Sequence, residues 1–125
     1  MSETNQLTSN NSVKTEDYIQ SIKDSLKALN PYKVILFGSY GGGMPRKDSD
    51  IDLLVVTNDD FYPKNYQEHI RCYLQVALHL KEIRKEVPID LIVHTKPMHS
   101  RFIELASQFS KEILQKGTIL YESHH

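Results

Sequence analysis

Three short apolar runs constrain the fold of this chain more than any other feature. They are KVILF at 33–37, IDLLVV at 51–56 and IDLIVH at 89–94. Runs of five or six residues rich in Val, Ile and Leu are typical of buried β-strands. Segments with apolar residues at helical spacing lie before the first run, between the second and the third, and after the third. This order predicts an α/β fold in which helices flank a small mixed β-sheet.

The helical segments have recognisable ends. The first helix is predicted from Thr15 to the stop signal Asn30-Pro31, because proline ends helices and the residue before it avoids the helical region. The spacing of apolar residues predicts one long helix over 66–86. A last helix is predicted after Lys96-Pro97, ending at Gly117, where a helix C-terminal glycine is expected.

The chain has the size of one small domain. Its 125 residues are enough for a single hydrophobic core but not for two. Residues 1–14 are polar and lack aromatic side chains, so we expect a disordered N-terminal tail followed by one domain over 15–122. The closing run TILYE at 118–122 predicts a short edge strand.

Composition excludes several classes of protein. Fifteen Lys and Arg against sixteen Asp and Glu give a net charge of −1, which argues against binding long nucleic acids. Cys72 is the single cysteine, so neither a disulfide framework nor a thiolate zinc cluster is expected. The sequence has neither a signal-peptide pattern nor an apolar run of about 20 residues. We therefore expect a soluble, cytoplasmic protein with no membrane contact.

Three aspartates stand at the starts of apolar strands, where charge is costly to bury without compensation. Asp50 and Asp52 flank the first residue of the second strand, and Asp90 is the second residue of the third. Side chains two apart on a strand share a face, so Asp50 and Asp52 should project together, with Asp90 beside Asp52 if the two strands are neighbours. Converging carboxylates supply the oxygen ligands that Mg²⁺ prefers. A D-x-D pair at a strand start is also typical of a merely solvated strand end.

A glycine–serine pair favours the metal interpretation. Gly38-Ser39 directly follows the first strand, where the backbone N–H groups of a turn can converge on an anion. The sequence does not fit a P-loop, because Met44 and Pro45 replace the required Lys and Ser or Thr. It does not fit a calcium loop either, because Leu53 replaces the required glycine. A phosphate-binding turn followed by a carboxylate pair predicts a site for a nucleotide and its metal ions.

With these motifs the sequence resembles the DNA polymerase β-like nucleotidyltransferase superfamily, and most closely its minimal nucleotidyltransferase branch. The resemblance rests on G-S, ten residues, D-x-D, and a later aspartate in a strand, within LFGSYGGGMPRKDSDIDLLVV. It covers most of the chain, from about Thr15 to Glu122, and implies the polymerase β-like core as the fold.

The resemblance also implies roles for individual residues. Asp50 and Asp52 would bind two Mg²⁺ ions, and Asp90 would complete the acceptor-side metal site and help to deprotonate the acceptor hydroxyl. Gly38 and Ser39 would bind the β- and γ-phosphates of the incoming nucleotide, expected to be ATP. The implied reaction is in-line attack on the α-phosphorus, which transfers a nucleoside monophosphate and releases pyrophosphate.

The chain departs from the family pattern just after the serine. Many relatives carry GSRARG there, whereas Tyr40 and Gly42 occupy the two arginine positions in this chain. Arg46 and Lys47 are candidates to supply the missing positive charge at the nucleotide, and a solvated loop is the alternative interpretation of both.

The resemblance leaves three functional hypotheses open. The first is transfer of AMP to a partner protein, since stand-alone members of the branch are often paired with an all-helical HEPN-type toxin that they neutralise. The second changes the acceptor to a small hydroxylated molecule. The third is a non-catalytic antitoxin module that binds a nucleotide or its partner. A homo-oligomer is the alternative to a partner protein for completing the site.

Overall fold

The computed structural model describes residues 10–38 and 50–123, with side chains described from residue 17. Helices flank a small sheet over these ranges, as the order of apolar segments predicts. The elements in chain order are α1 (Asn10–Lys27), β1 (Lys33–Phe37), β2 (Ile51–Val56), α2 (Tyr66–His79), α3 (Lys81–Arg84), β3 (Ile89–His94), α4 (Lys96–Leu105), α5 (Gln108–Lys116) and β4 (Thr118–Glu122). The predicted α/β class with a small mixed sheet is confirmed.

The four strands form one sheet in the order β3-β2-β1-β4. Strand β1 pairs antiparallel with both β2 and β4, and β2 pairs parallel with β3. The crossover from β2 to β3 is made by α2 and α3, because parallel strands cannot be joined by a tight turn. The predicted edge strand at the end of the domain is confirmed as β4.

Helices cover both faces of the sheet. Alternate residues of β2 point to opposite faces, so Leu53 packs against the α1, α2 and α3 side, whereas Leu54 packs against the α5 side with Ile35 and Ile113. The larger core joins the strands to buried residues of the first three helices: Ile22, Leu26, Cys72, Val76 and Ile83. Burial on both faces explains why the central strand is almost continuously apolar.

Two predicted helices are each divided in the structure. The segment predicted as one helix over 66–86 is broken at Leu80, where φ is −102° and ψ is 4°. The last predicted helix is broken at Ala106, which adopts a left-handed conformation with φ of 48°. The Ser107 side chain then caps α5 by accepting a hydrogen bond from the N–H of Ser110. The prediction of unbroken helices was therefore wrong at these two points.

The first helix ends as predicted but starts earlier. Its C-terminal turn closes at Asn30, which has a positive φ of 48° just before Pro31. Its first residue is Asn10, five residues before the predicted start. The division into a tail and a domain stays a prediction. Within the described ranges, every helix is too short or too polar to cross a bilayer.

Candidate active site

Two aspartates lie side by side where strands β2 and β3 begin. Asp52 and Asp90 are each the second residue of their strand, and the parallel register pairs them directly. The register also aligns the buried residues Ile51 and Ile89, the first residue of each strand. The prediction that Asp90 lies beside Asp52 is confirmed.

The electrostatics of this pair disfavour two ionised carboxylates. Burial raises the pKa of the Asp52 carboxyl, and the charge of Asp90 and a hydrogen bond with its side chain raise it further. The charge of Asp50 adds a smaller effect in the same direction. A hydrogen bond between two carboxyl groups requires a proton on one of them. The site therefore favours either a shared proton or a bound cation.

The donor set fits Mg²⁺. Asp50 is exposed and immediately precedes β2, Asp52 is partly buried, and Asp90 is exposed on the edge strand. In the part of the chain that the structure describes, no three acidic, His or Cys side chains lie close enough together to hold one ion. Mg²⁺ is usually bound by one or two carboxylates, with water and substrate phosphates completing the shell. The Asp52–Asp90 pair matches that requirement, and a three-carboxylate metal set remains a proposal.

Gly38 lies directly beside Asp52. Strand β1 ends at Phe37, which pairs with Asp52, and Gly38 follows with a positive φ of 69°. A Cβ atom at position 38 would collide with the Asp52 Oδ2 atom and would lie 3.1 Å from its Cγ. Glycine is therefore required both by the backbone conformation and by the close approach of the carboxylate. The other predicted nucleotide-binding residues, Ser39 and Arg46, lie outside the described residues.

An open cleft of about 560 Å³ contains both carboxylates and several residues that sequence reasoning missed. Arg84 donates hydrogen bonds to the Tyr73 hydroxyl at 3.2 Å and to the Ile89 carbonyl at 2.9 Å. Arg84 thus satisfies the backbone carbonyl of Ile89, the residue before Asp90 on the edge strand β3. No motif indicates this contact, because α2 and α3 bring the two side chains together only through the helix break at Leu80.

His94 lies at the opposite end of β3 from Asp90. The two residues are four steps apart along the strand, about 13 Å. The His94 Nδ1 atom lies 3.3 Å from the Nδ1 atom of His99 on α4, and the Phe102 ring contacts both imidazoles. His94 is 8% exposed and His99 4%. His94 therefore packs against α4 and does not line the cleft that contains Asp90.

This histidine pair should make the fold acid-sensitive. The pKa of both imidazoles is lowered to about 4, mainly by burial. The charges of His99 and His69 contribute at His94, and the charge of Lys33 contributes at His99. The unfolded chain takes up these protons near pH 6.5, whereas the folded chain does not. The two histidines therefore cost no stability above pH 6.5. Below it, the free energy of unfolding should fall by roughly 1–3 kcal/mol per pH unit toward pH 4.

Urea unfolding across pH 4–7 measures this slope. The double variant His94→Leu, His99→Leu should show a shallower loss of stability between pH 6.5 and 4. The exposed His79→Gln variant should keep the wild-type slope. An unchanged slope in the double variant would show that other groups cause the acid sensitivity.

The chain matches the family described as "Polymerase beta, Nucleotidyltransferase" over residues 20–125. The chain belongs to this nucleotidyltransferase family. It is also 28% identical over 107 residues to the "Putative protein adenylyltransferase MJ0604" of Methanocaldococcus jannaschii, an alignment that covers 85% of this chain and 93% of the relative. The recognised family is thus confirmed, and with it the general interpretation as a nucleotidyltransferase enzyme.

Solved structures share the fold. A toxin–antitoxin crystal structure with AMP-PNP superposes with a TM-score of 0.53 and 21% identity, covering 85% of this chain and 74% of that chain. A variant of the toxin–antitoxin MntA-HpeT gives 0.52 and 19%, with the same coverages. A "putative nucleotidyltransferase" from Sulfolobus solfataricus gives 0.57 and 16%, covering 86% of this chain and 83% of that one. These likenesses confirm the nucleotidyltransferase fold.

Proposed function

We propose that this nucleotidyltransferase uses Mg²⁺ and ATP to transfer AMP to a hydroxyl group of a partner protein. The observation that carries the proposal is the direct pairing of Asp52 with Asp90. Gly38 lies next to this pair, in a position where both the positive φ and the close approach of Asp52 require glycine. Two neighbouring ionised carboxylates repel each other, and this is costly unless a cation or a proton lies between them. Such a pair is expected where metal-dependent phosphoryl chemistry takes place.

Each residue of the site has a defined task in this proposal. Asp50, Asp52 and Asp90 would hold two Mg²⁺ ions, which when bound would neutralise phosphate charge and activate the acceptor oxygen. Asp90 is exposed on the edge strand, so an acceptor hydroxyl can reach it from solvent and donate its proton there. Gly38 lets the backbone approach the Asp52 carboxylate closely, and its N–H group and that of Ser39 would bind the phosphates of the nucleotide.

The segment after Ser39 would supply the remaining charge. Arg46 would contact the phosphates in place of the arginines that many relatives carry directly after the serine. A guanidinium can bind phosphate oxygens with two parallel hydrogen bonds, which favours this role over a purely electrostatic one.

A protein acceptor is supported by two similarities. The Methanocaldococcus relative is named as a protein adenylyltransferase, and two structures of similar fold are toxin–antitoxin complexes, one with AMP-PNP. The open cleft is also suited to a large acceptor, since Asp90 needs no deep pocket around the incoming hydroxyl. We propose an all-helical, HEPN-type toxin as the partner, with this chain as the antitoxin.

Transfer of label from ATP tests the function. The purified protein is incubated with Mg²⁺ and lysate of its native host, with ATP labelled at the α-phosphate in one reaction and at the γ-phosphate in another. AMP transfer predicts one labelled protein band with the α-label, none with the γ-label, and none after chelation by EDTA. Label from the γ-phosphate would indicate a kinase instead. Label confined to small molecules would move the acceptor to the small-molecule class.

A further inference from the structure

Two phenylalanines form an aromatic wall of the cleft that contains Asp52 and Asp90. Phe37 ends β1, and Phe109 is the second residue of α5. Their ring centroids are 5.8 Å apart at an interplanar angle of 82°, an edge-to-face arrangement. Phe102 supports the Phe109 ring from another side, with centroids 6.2 Å apart at 81°. The Phe109 ring is therefore held in position by edge-to-face contacts with two other rings.

Phe109 nevertheless remains 48% exposed. A single exposed apolar side chain is common and needs no explanation on a convex surface. Phe109 instead lies in a concave cleft, next to a charged pair and with aromatic support on two sides. Binding sites characteristically combine an apolar wall with a few polar groups in this way.

The register of the sheet shows on which side of the carboxylates this wall stands. Asp90 pairs with Asp52, and Asp52 pairs with Phe37, so these three residues form a row across β3, β2 and β1. Asp90 and the wall therefore lie on opposite sides of Asp52. Gly38 directly follows Phe37, so the wall and the phosphate-binding turn share the β1 side of the row.

From this arrangement we infer that Phe109, supported by Phe37, is the stacking platform for the nucleobase of the bound nucleotide. The inference rests on the proposed function, which places the acceptor at Asp90 and the phosphates at Gly38. An aromatic group on the Phe37 side then belongs to the nucleotide rather than to the acceptor. Stacking accepts every base, because each base has a π-face. Phe109 accordingly contributes affinity for the base but little choice between adenine and other bases.

Equilibrium binding separates the base from the phosphates. The probes are AMP-PNP and inorganic tripolyphosphate, each with Mg²⁺, titrated calorimetrically into wild type and Phe109→Ala. The loss of one stacking contact should weaken AMP-PNP binding about 5- to 100-fold. Tripolyphosphate has no base, so its affinity should stay within about twofold. Phe109→Trp should restore AMP-PNP binding.

A matched control is Phe61→Ala, since Phe61 is 45% exposed but does not line the cleft. It should leave both affinities unchanged. Equal AMP-PNP affinity in wild type and Phe109→Ala would overturn the platform, as would a parallel loss of tripolyphosphate binding, which would indicate a structural role. A higher KM for the protein acceptor at unchanged AMP-PNP affinity would assign the wall to the acceptor and also overturn it. Failure of the wild type to bind either probe would overturn the proposed function itself.

Discussion

Replacing Asp52 by Asn should abolish nucleotide transfer while leaving the folded protein at least as stable as the wild type. The asparagine amide has nearly the shape of the carboxylate but no charge, so it cannot hold Mg²⁺ as a carboxylate does. Metal stabilisation of phosphoryl transfer contributes several kcal/mol, and each 1.36 kcal/mol is a factor of ten in rate. We expect transfer to fall by at least about 1,000-fold, measured as α-label incorporated per minute.

The stability should change in the opposite direction. The pKa of Asp52 is raised by burial and by Asp90, so ionising this carboxyl at neutral pH destabilises the folded chain. The Asn variant removes that charge and its repulsion from Asp90. Its Tm in metal-free buffer should therefore equal or exceed that of the wild type. Loss of activity together with retained stability would mark Asp52 as a residue kept for function at a cost to stability.

Asp60→Asn provides the control for this experiment. Asp60 is exposed and forms an ion pair with Lys96 at 2.8 Å, away from the cleft carboxylates. Its substitution should leave transfer within about twofold of wild type, because exposed ion pairs contribute little. If Asp52→Asn, alone or with Asp50→Asn, retained transfer, the carboxylates would not be catalytic. If the double variant still neutralised a toxin, the non-catalytic binding hypothesis would replace the transferase.

The position of the Asp52–Asp90 pair could be predicted because the two strands repeat the same sequence pattern and pair in register. IDLLVV and IDLIVH both carry aspartate in second position, and burial of both strands aligns Ile51 with Ile89. The aspartates must then meet whenever the strands are parallel neighbours. Gly38 was equally visible, since a glycine after a strand indicates a turn.

The surroundings of the site were not predictable from local patterns. The helix break at Leu80 has neither a glycine nor a proline to indicate it, and it is this break that allows Arg84 to reach Tyr73. The break at Ala106 puts an alanine in a left-handed conformation, which sequence propensity disfavours. The one local signal for a break here is Ser107, a residue type that commonly caps the start of a helix. Phe109 fits the apolar spacing of a helix, and its exposure in the cleft follows from tertiary packing alone.

Replacing Gly38 by Ala should damage stability and activity together. A left-handed conformation costs a non-glycine residue about 1–2 kcal/mol, and the new methyl group must also displace the Asp52 side chain. We expect the free energy of unfolding to fall by about 2–4 kcal/mol in total. Misplacing a catalytic group by about 1 Å costs on the order of 100-fold in rate, so transfer should fall by at least that factor. Urea unfolding and label transfer on the same preparations measure both effects.

Gly117→Ala distinguishes local displacement from general destabilisation. A Cβ at Gly117 would lie 2.5 Å from the Ile113 carbonyl oxygen and 2.7 Å from Ile35 Cγ2, with no contact to Asp52. This variant should also lose stability, yet it should keep most of its transfer activity well below its Tm. Equal losses of activity in the two glycine variants would contradict a specific role for Gly38.

A double-mutant cycle then isolates the contact between Gly38 and Asp52. In an Asp52→Ala background the colliding Oδ2 and Cγ atoms are absent, so only the backbone strain of Gly38→Ala remains. The cost of Gly38→Ala in unfolding free energy should therefore be smaller in that background by about 1–2 kcal/mol, a coupling within the range measured for residues in contact. Strictly additive costs would show that the methyl group is accommodated without moving Asp52. The glycine would then be required for stability by its positive φ alone.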